Sequence, residues 1–398
     1  MKILHVQESL SRGLGGPSAV LPQLANAQAV AGNEVVVATT NADYPGGTYH
    51  KPGWDLIEGG PAQVFYAPVQ FHPLRISLGL AAYLRAAIPN FDIVHVHGLY
   101  RFPVTAAAYM SRRYNVPYII RPHGALDPYL HSRSKAGKVR LKRLYENWFD
   151  LPNLHGAAAI HYTAERERDR AEFLNLRSPS FVIPNALESH WHQSQPERGR
   201  LRDRWGVGEA PIVLFLGRLT VGKGLDLLVP AFDAVRQIMP NSRLIIAGPD
   251  VEGYGDVVRS WVSERGLGQS VQIVGPLQGL DVKQAYVDAD VLAQTSHTEN
   301  FGMTIVEAMA CALPVVISDQ VGIHNEISRT GAGLVTSCNT DDISRALIML
   351  LGDPKRRHSM GCAGRDLVQQ RYSWPLVVDA LDAKYQDIIG SRSGGRLG

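Results

Sequence analysis

Short apolar stretches alternate along the chain with segments of helical periodicity. Residues Lys2 to Val6 predict a buried strand, which is followed by the glycine-rich loop RGLGGPSAV. A helix is predicted next, with Leu21, Leu24 and Ala25 on one face, and Gly32 ends it. The stretches EVVVATT, FDIVHVHG and VPYIIRPHG predict three further strands, and the last two end in a His-Gly loop. This alternation is typical of a doubly wound parallel sheet in an α/β protein.

The second half of the chain repeats the same plan. The stretches APIVLFLG, SRLIIAG and VQIVG predict strands, and KGLDLLVPAFDAV predicts a helix. A strand at Val291–Ala293 then leads into HTENFGMTIVEAMACALPVVISD, which predicts a tight loop, a helix and a strand at Val315–Ile317. Ligands of open α/β sheets bind at the carboxyl ends of the strands, so two such domains predict a cleft between these ends.

The stretch IPNALESHWHQSQPERGRLRDRWG separates the halves, because it is polar and has little periodicity. We place the linker near residues 186–200, between an N-terminal domain over residues 1–185 and a C-terminal domain over residues 186–374. The stretch PLVVDALDAKYQDII predicts a last helix over residues 375–398. Its sequence alone leaves open the domain on which it packs.

Composition and charge narrow the function classes. The 398 residues are 45% hydrophobic and 19% charged, as in a globular protein with room for two cores. A net charge of +3 is too small to indicate nucleic-acid binding, although residues 1–185 are the basic half with 19 Lys and Arg against 13 Asp and Glu. Three scattered cysteines favour a reducing compartment without disulfides or a metal site. Without a signal-peptide pattern or a long apolar run, we expect a cytoplasmic protein, with peripheral binding at the inner face of the plasma membrane left open.

The glycine loop after the first strand does not predict a nicotinamide enzyme. It reads Gly13-Leu14-Gly15-Gly16-Pro17-Ser18, which lacks the third glycine of the dinucleotide fingerprint. The second strand ends in Thr39-Thr40, where that fingerprint requires an acid for the ribose. The amides of Gly15-Gly16 could still face an anion or a hydroxyl at the helix start, and the alternative is a tight turn without a ligand.

Two cations follow the first strand of the second half. Arg218 comes directly after that strand, and Lys223-Gly224 precedes a helix. Two positive charges beside a helix N-terminus suit a phosphate or a diphosphate. The loop is not a Walker loop, because Gly224 stands where a magnesium-binding Ser or Thr is required. The alternative is a pair of solvated loop cations.

Carboxylates cluster around the HTENFGMTIVEAMACALPVVISD stretch. Glu299 precedes the Phe-Gly turn, and Glu307 lies eight residues later on the predicted helix. Thr304 and Glu307 also match a capping box, which would stabilise that helix by roughly 1 kcal/mol. Asp288 and Asp290 imitate a metal-binding D-x-D pattern, but they lie at the amino end of a strand and away from the cleft. We therefore assign them a structural role and expect no metal.

Three stretches together resemble glycosyltransferase family 4: GRLTVGKG, HTENFGMTIVEAMACALPVVISD and, near the C-terminus, RYSW. The spacing between the first two stretches also resembles that of the family. The strongest element is the E-x7-E motif formed by Glu299 and Glu307. Enzymes of that family are retaining, have the GT-B fold and use nucleotide sugars. The resemblance covers nearly the whole chain, and it implies two Rossmann-like domains whose parallel sheets face a cleft.

The same resemblance implies roles for individual residues. Glu299 and His123 are expected to be catalytic and to lie by the transferred sugar. Glu307 is expected to bind the ribose of the nucleotide, and Arg218 and Lys223 its diphosphate. The remaining donor-binding residues are expected to be Gly16, Phe301, Gly302, Met303 and Thr304. The resemblance also implies no metal, no cofactor and a C-terminal helix that returns to the N-terminal domain.

Histidines at the ends of the third and fourth predicted strands supply further candidates. His95 and His97 alternate and so point to the same face of a strand, and we interpret His97 as an acceptor-site residue and His95 as part of the core. Arg121, two residues before His123, is a second candidate for the acceptor site. The alternative for His123 is a packed, hydrogen-bonded loop histidine.

Residues 131–148 form a basic stretch, HSRSKAGKVRLKRLYENW, with Leu141, Leu144, Tyr145 and Trp148 at helical spacing. Such a helix could dock on an anionic membrane surface that presents a lipid-linked acceptor. The alternative is a solvated charged face over a packed apolar stripe. RNA binding is not favoured, because the stretch lacks a recognisable module.

Together these features predict a retaining hexosyltransferase that moves a sugar from a nucleotide diphosphate to a hydroxyl acceptor with an α-linkage. We expect a UDP-sugar first and GDP-mannose second, and an acceptor in bacterial surface polysaccharide or lipid-linked glycan synthesis. Three alternatives share the fold: a phosphorylase, a sugar-nucleotide epimerase and a non-catalytic carbohydrate-binding protein.

Overall fold

The computed structural model of the chain describes residues 1–11, 15–43, 48–129, 142–191, 193, 195–250 and 253–394. These residues form two compact units. The first, called the N-terminal unit below, comprises Met1–Ala186 together with Trp374–Gly398. The second, called the C-terminal unit, comprises Leu187–Ser373. The last part of the chain therefore belongs to the unit that its first part forms.

The N-terminal unit is built on an eight-stranded sheet in the order β3-β4-β2-β1-β5-β6-β7-β8. Its neighbouring strands are parallel except for the edge pair β3 and β4. The strands are β1 (Lys2–Ser9), β2 (Glu34–Thr40), β3 (Gly53–Leu56), β4 (Gln63–Ala67), β5 (Ile93–His97), β6 (Tyr118–Arg121), β7 (Ala159–Tyr162) and β8 (Ser180–Val182).

Helices cover the sheet of the N-terminal unit, since the parallel strands have apolar side chains on both faces. They are α1 (Gly16–Val30), α2 (Leu78–Ala87), α3 (Phe102–Arg113), α4 (Leu151–His155), α5 (Glu165–Ala171) and the C-terminal helix (Trp374–Gly394). Residues 142–145 are also helical and lead into a π-helical turn at Glu146–Asp150. Fully buried Leu4, Val94 and Ile120, from three adjacent strands, lie in one apolar core.

The C-terminal unit contains a six-stranded parallel sheet in the order β11-β10-β9-β12-β13-β14. The strands are β9 (Ile212–Leu216), β10 (Arg243–Ala247), β11 (Val271–Gly275), β12 (Val291–Gln294), β13 (Val315–Ser318) and β14 (Gly333–Thr336). The helices are α6 (Arg200–Trp205), α7 (Leu225–Ile238), α8 (Tyr254–Glu264), α9 (Leu280–Asp288), α10 (Met303–Ala310), α11 (His324–Thr330), α12 (Thr340–Gly352) and α13 (Pro354–Arg371).

The strand order of the C-terminal unit determines which loops meet. Strands β9 and β12 are neighbours in the sheet although about 75 residues separate them in sequence. Their carboxyl ends carry the GRLTVGKG loop and the HTENFG loop, respectively. The fold therefore brings the predicted basic loop and the predicted carboxylate loop to one edge of one sheet.

Within the described part of the chain, no helix combines the length and the hydrophobicity that a membrane span requires.

Candidate active site

The loop after β9 is held against the loop after β12 by a close backbone contact. Gly224, at the start of α7, has a φ of 70°, which favours glycine. A Cβ atom on Gly224 would lie only 1.8 Å from the carbonyl oxygen of Thr295. The hydroxyl of Thr295 in turn donates a hydrogen bond to the carbonyl of Gly224 at 2.8 Å. The absence of a side chain at Gly224 thus brings Lys223 next to the end of β12.

Further hydrogen bonds fix the loop that carries Glu299. The amide of His297 donates to the carbonyl of Gly222 at 2.9 Å, and its ring contacts the carboxylate of Asp226 at 2.9 Å. The backbone of Glu299 bonds the loop after β13, because Gly322 donates to its carbonyl at 2.9 Å. Glu299 is therefore positioned by loops from three strands.

Lys223 and Glu299 form an ion pair at this edge of the sheet. Both side chains are largely withdrawn from solvent, with 20% and 16% of their surface exposed. Arg218, five residues before Lys223, has an exposed side chain. The site thus holds one carboxylate paired with one cation, and a second cation on the same loop faces solvent.

Helix α10 begins directly behind this ion pair. Its N-cap residue is Gly302, with a φ of 92° and no side-chain cap. A Cβ atom on Gly302 would lie 2.6 Å from the Cδ1 atom of Ile305 and 3.4 Å from the Cγ atom of Glu299. The first-turn amides, at Met303 and Thr304, have no intrahelical acceptor, as is general at helix starts. The missing side chain of Gly302 lets Ile305 and Glu299 pack closely against this helix start.

The capping-box interpretation of Thr304 and Glu307 is wrong. The helix begins at Met303, so Thr304 lies inside its first turn and cannot act as the N-cap. The carboxylate of Glu307 instead accepts a hydrogen bond from the hydroxyl of Tyr286 at 2.8 Å. Burial raises the pKa of Glu307 above its ordinary value, and the hydrogen bond from Tyr286 lowers it in part. Glu307 therefore takes part in a side-chain interaction that a helix cap does not require.

Tyr286 was missed by the sequence analysis. It lies on α9, just before the Asp288–Asp290 pattern, and its side chain is buried. No motif marks it in the sequence, because its contact with Glu307 spans 21 residues and depends on how α9 packs against α10.

Asp288 and Asp290 have structural partners. The carboxylate of Asp288 accepts hydrogen bonds from the amides of Gly199 and Leu201 at 2.6 and 2.7 Å. The carboxylate of Asp290 accepts from the amide of Ile212 at 2.8 Å and from the guanidinium of Arg202 at 3.0 Å. These contacts fix the polar segment before β9 to the start of β12.

The ring of Phe301 is not placed for the expected contact with the donor. Its side chain is buried, with 3% exposed, and it packs edge-on against the ring of Tyr372 with centroids 5.5 Å apart. The hydroxyl of Tyr372 bonds the carboxylate of Glu326. The ring of Phe301 therefore anchors the turn to the interior of the C-terminal unit, and only its backbone is available to a ligand.

In the N-terminal unit, His123 lies on a strained loop after β6. Its φ of 55° is unusual for a residue with a side chain. The loop is held by the buried carboxylate of Glu167, which accepts hydrogen bonds from the amides of Gly124 at 2.6 Å and Thr163 at 2.7 Å. The sequence analysis missed Glu167, since no pattern distinguishes it from the other acids of α5.

The structure places His97 and Arg121 inside the N-terminal unit, which differs from the expected acceptor contacts. Both side chains are 2% exposed. The guanidinium of Arg121 donates to Asn185 at 2.5 Å, and burial lowers its pKa to about 10. The ring of His97 lies between those of His5 and His123. Neither residue can contact an acceptor directly in this arrangement, whereas the expected core position of His95 is confirmed by its complete burial.

Gly16 is the first residue of α1, and Gly15 is its N-cap with a φ of 93°. Among the described residues, no atom lies within 4 Å of a Cβ atom built on Gly16. The space in front of this helix start is therefore open on the protein side. Arg12, Gly13 and Leu14 of the same loop lie outside the described residues.

The basic stretch is described only from residue 142 onwards, so most of its predicted helix lies outside the described residues. Tyr145 packs inward, with its hydroxyl 2.8 Å from that of Thr105. Leu144 and Trp148, four residues apart, are 48% and 73% exposed. The alternative of a packed apolar stripe therefore does not hold for these two residues, which face solvent.

The chain has the GT-B fold. The crystal structure of HepE from Anabaena, in complex with UDP and glucose, superimposes with a TM-score of 0.74 at 20% identity, over 97% of this chain and 100% of that one. Two family models match the sequence: "Glycosyl transferases group 1" over residues 197–367 and "Glycosyl transferase 4-like domain" over residues 15–186. The chain therefore belongs to the family 4-like glycosyltransferases and is a hexosyltransferase.

Two relatives align over most of their length. A D-inositol 3-phosphate glycosyltransferase from Kineococcus radiotolerans is 29% identical over 80% of this chain and 76% of its own. A GDP-mannose:cellobiosyl-diphosphopolyprenol alpha-mannosyltransferase from Xanthomonas oryzae pv. oryzae is 25% identical over 98% of both chains.

Proposed function

We propose that this glycosyltransferase moves a hexose from a nucleotide-diphosphate sugar to a hydroxyl acceptor, with retention of the α configuration. The observation that carries the proposal is the ion pair between Lys223 and Glu299, beside the start of α10. Glycosyl transfer develops positive charge on the sugar and negative charge on the departing diphosphate. A site for it needs a carboxylate and cations in neighbouring positions, as found here.

In the proposed reaction the cations act on the diphosphate and the carboxylate acts on the sugar. Lys223 and exposed Arg218 bind the diphosphate and stabilise it as it departs, together with the first-turn amides of α10. Glu299 contacts the donor sugar, where its charge offsets the positive charge that develops on the ring. When the diphosphate binds, Lys223 is shared between it and Glu299. This arrangement supplies the charge balance from the protein, and we propose that transfer requires no metal.

Glu307 and Tyr286 form the proposed ribose site. An ionised carboxylate can accept hydrogen bonds from the two hydroxyls of a ribose, and Tyr286 already occupies one of its oxygens. Because this hydrogen bond lowers the pKa of Glu307 against the effect of burial, it favours the ionised form, which is the acceptor. Tyr286 thus acts through Glu307.

For the donor, we propose GDP-mannose first and UDP-sugars second, which reverses the expectation from the sequence. The relative from Xanthomonas oryzae carries GDP-mannose in its name and aligns with 98% of this chain. HepE, whose structure contains UDP and glucose, has a lower sequence identity of 20% to this chain. The name of the same relative contains a diphosphopolyprenol acceptor, so we propose a lipid-linked glycan acceptor in surface polysaccharide synthesis.

We also propose that the acceptor is met at an anionic membrane surface. Leu144 and Trp148 present apolar side chains to solvent, and in the sequence they follow the basic residues of the stretch at 131–143. Apolar side chains that insert between headgroups, flanked by cations, are typical of peripheral membrane binding.

The first test is a thermal-shift screen of the purified protein with GDP, UDP, ADP and their common sugar conjugates, in the presence of a chelator. We expect stabilisation by one nucleotide family, lost in Lys223→Ala and kept in Lys355→Ala, which removes an exposed lysine from α13. No stabilisation by any nucleotide in a folded sample would overturn the proposal in favour of a carbohydrate-binding protein. Donor turnover without an acceptor would indicate an epimerase.

A further inference from the structure

Five histidines lie together in the N-terminal unit. His5, His95, His97 and His161 belong to strands and are at most 2% exposed, and His123 follows β6. Strand register explains the cluster. His5 pairs with His95 across β1 and β5, and His97 pairs with Arg121 across β5 and β6. Residues that pair in a parallel sheet point to the same face, so the rings stack beside one another.

A first chain of hydrogen bonds runs from Gln28 to His123. The Oε1 atom of Gln28 lies 2.7 Å from Nε2 of His5. The Nδ1 atom of His5 lies 3.0 Å from Nε2 of His97, and Nδ1 of His97 lies 3.1 Å from Nε2 of His123. Each contact uses one nitrogen of each ring, so the chain has a defined sequence of atoms.

Because the chain ends at a hydrogen-bond acceptor, the carbonyl oxygen of Gln28, the position of every ring proton in it is determined. A carbonyl oxygen cannot donate, so Nε2 of His5 carries the hydrogen that bonds Gln28. Burial lowers the pKa of His5 to about 4 and those of His97 and His123 well below the ordinary value, so all three rings are neutral and hold one hydrogen each. His97 must then donate from Nε2 to His5, and His123 must donate from Nε2 to His97. The Nδ1 atom of His123 is left as a hydrogen-bond acceptor, and among the described residues it has no partner.

The Gln28 amide faces His5 with its oxygen, since Oε1 of Gln28 lies 2.7 Å from Nε2 of His5. The amide nitrogen is buried and makes no hydrogen bond within the described part of the chain. Its interaction with Asp382 on the C-terminal helix lowers the pKa of that carboxyl, in the direction expected when the nitrogen and not the oxygen is turned towards the carboxylate.

A second chain ends on the same helix. The Nε2 atom of His161 lies 2.8 Å from the carbonyl of Ile183, and Nδ1 of His161 lies 3.3 Å from Nε2 of His95. The Nδ1 atom of His95 lies 2.6 Å from the hydroxyl of Tyr385. By the same reasoning His161 donates to the carbonyl, His95 donates to His161, and Tyr385 donates to His95. This chain does not include His123.

Hydrogen bonding explains the cluster better than a metal does. Nitrogens of His5, His95 and His97 lie within 4.8 Å of one another, which is compatible with a metal cluster. However, both nitrogens of each of these rings already have hydrogen-bond partners. Coordination would break at least one bond in each ring that supplied a ligand.

We propose that Gln28, His5 and His97 are positioning residues that fix His123 as the Nε2–H tautomer, so that its Nδ1 atom accepts a hydrogen bond from a hydroxyl of the donor sugar. The assignment of the sugar rests on the proposed function, whereas the tautomer is a property of the free protein. The other tautomer of His123 would present an N–H at this position and could not accept.

The test compares two variants of similar shape at His97 in the full-length protein. His97→Asn keeps an oxygen near the position of Nδ1 and can still accept from His123, but His97→Leu cannot. Nitrogen-15 NMR of labelled histidines reads the tautomer directly, and the signal of His123 is identified by its loss in His123→Gln. We expect the Nε2–H form in the wild type and in His97→Asn, and a mixture in His97→Leu.

Two further variants and one binding measurement keep the outcomes distinct. His161→Phe interrupts the second chain, because the hydrogen bonds of His161 go to Ile183 and His95, so it should leave the tautomer of His123 unchanged. Gln28→Met removes the anchoring acceptor without altering His97, and it replaces His97→Leu if that variant fails to fold. The ratio of affinities for the nucleotide sugar and the free nucleotide should fall by about twofold from His97→Asn to His97→Leu, because only about half of an even mixture presents the accepting Nδ1 atom.

The results separate the two proposals. An Nδ1–H form or a mixture in the wild type would overturn the tautomer assignment, whatever the enzyme transfers. The expected tautomers with an unchanged affinity ratio would overturn the contact between His123 and the sugar. Failure to bind any nucleotide sugar would overturn the proposed function, while the tautomer would still be decided by NMR.

Discussion

The ammonium of Lys223 and the carboxylate of Glu299 are paired although 76 residues separate them in sequence. The pair forms because β9 and β12 are neighbours and because Gly224 allows their loops to touch. Each residue therefore neutralises the other in the free protein. In the proposed reaction the two charges act on different parts of the donor. The ammonium stabilises the diphosphate as it becomes negative, and the carboxylate stabilises the sugar as it becomes positive.

Lys223→Met and Glu299→Gln should each lower the free energy of unfolding by about 1–2 kcal/mol, because each leaves a partly buried charge without its partner. The double variant should be more stable than the sum of the single changes predicts, as in any coupled pair. Chemical denaturation of all four proteins measures this coupling. Strict additivity would mean that the two charges do not interact in solution.

Tyr286→Phe should make donor binding more sensitive to acid. Burial already raises the pKa of Glu307 above 4.5, and loss of the hydrogen bond from Tyr286 raises it further. If ribose binding requires the ionised carboxylate, KM for the donor should begin to rise at a higher pH in the variant than in the wild type. Parallel pH profiles of KM would contradict the ribose role.

The free energy of unfolding should depend on pH through Glu307 in the opposite direction to that of an ordinary salt-bridged acid. Because its pKa is raised by folding, the folded state binds a proton in a range of pH just above 4.5 where the unfolded chain does not. This group should therefore contribute stability as pH falls through that range. Comparison of Glu307→Gln with the wild type across this range should show the difference between them shrink towards acid.

Gly16→Ala should separate stability from activity. Outside its chain neighbours the added methyl group meets no described atom, so the variant should remain folded. Pro17 disfavours a helical residue with a Cβ atom before it, so a loss of about 1 kcal/mol or less is expected. Activity should fall at least tenfold if the donor approaches this helix start, because the methyl group fills that space. Gly390→Ala, at an equally open position in the C-terminal helix, is the control and should retain activity. Unchanged activity in Gly16→Ala would remove Gly16 from the donor site.

Gly224→Ala should destabilise the C-terminal unit by more than about 2 kcal/mol, since its Cβ atom would overlap the carbonyl of Thr295 and its φ is positive. Gly222→Ala serves as the matched control on the same loop. Its Cβ atom would come no closer than 4.0 Å to Thr298, so thermal unfolding should be nearly unchanged. Equal effects of the two changes would mean that the close contact does not hold the loops together.

Trp148→Ala should weaken binding to anionic vesicles by about tenfold, because it removes an exposed apolar side chain that would insert into the membrane. The folded protein should lose little stability. Trp54→Ala removes another half-exposed tryptophan, on the edge strand β3, and should leave vesicle binding unchanged. Co-sedimentation with vesicles at low and high salt measures both effects. Equal binding of Trp148→Ala and the wild type would exclude this surface as the docking site.

The sequence predicts the strands of the sheets well, because parallel strands buried on both faces are short, continuous apolar runs. The predicted strands at Lys2–Val6 and EVVVATT correspond to β1 and β2, and β1 extends further to Ser9. The E-x7-E stretch also folds as the predicted loop, helix and strand. Hydrophobic periodicity does not predict the order of the strands in the sheet, and this order places Lys223 beside Glu299.

Side-chain partners over long distances explain the remaining differences. The alternation of His95 and His97 correctly predicts one shared face, but alternation does not reveal whether that face is covered. Other histidines and the C-terminal helix cover it, so His97 lies inside the unit. Similarly, Thr304 and Glu307 have the spacing of a capping box, while the left-handed backbone of Gly302 begins the helix too early for Thr304 to cap it.

The position of the C-terminal helix also has a consequence for biosynthesis. Tyr385 completes the second histidine chain of the N-terminal unit, yet the whole segment Leu187–Ser373 is translated between the first part of this unit and Tyr385. At typical ribosome speeds this delay is roughly 10–40 s. During the delay the nascent N-terminal unit lacks its last helix, so its histidines stay uncovered. We expect ribosome-bound chains stalled before residue 374 to be cleaved more readily in the first unit than the released full-length chain is.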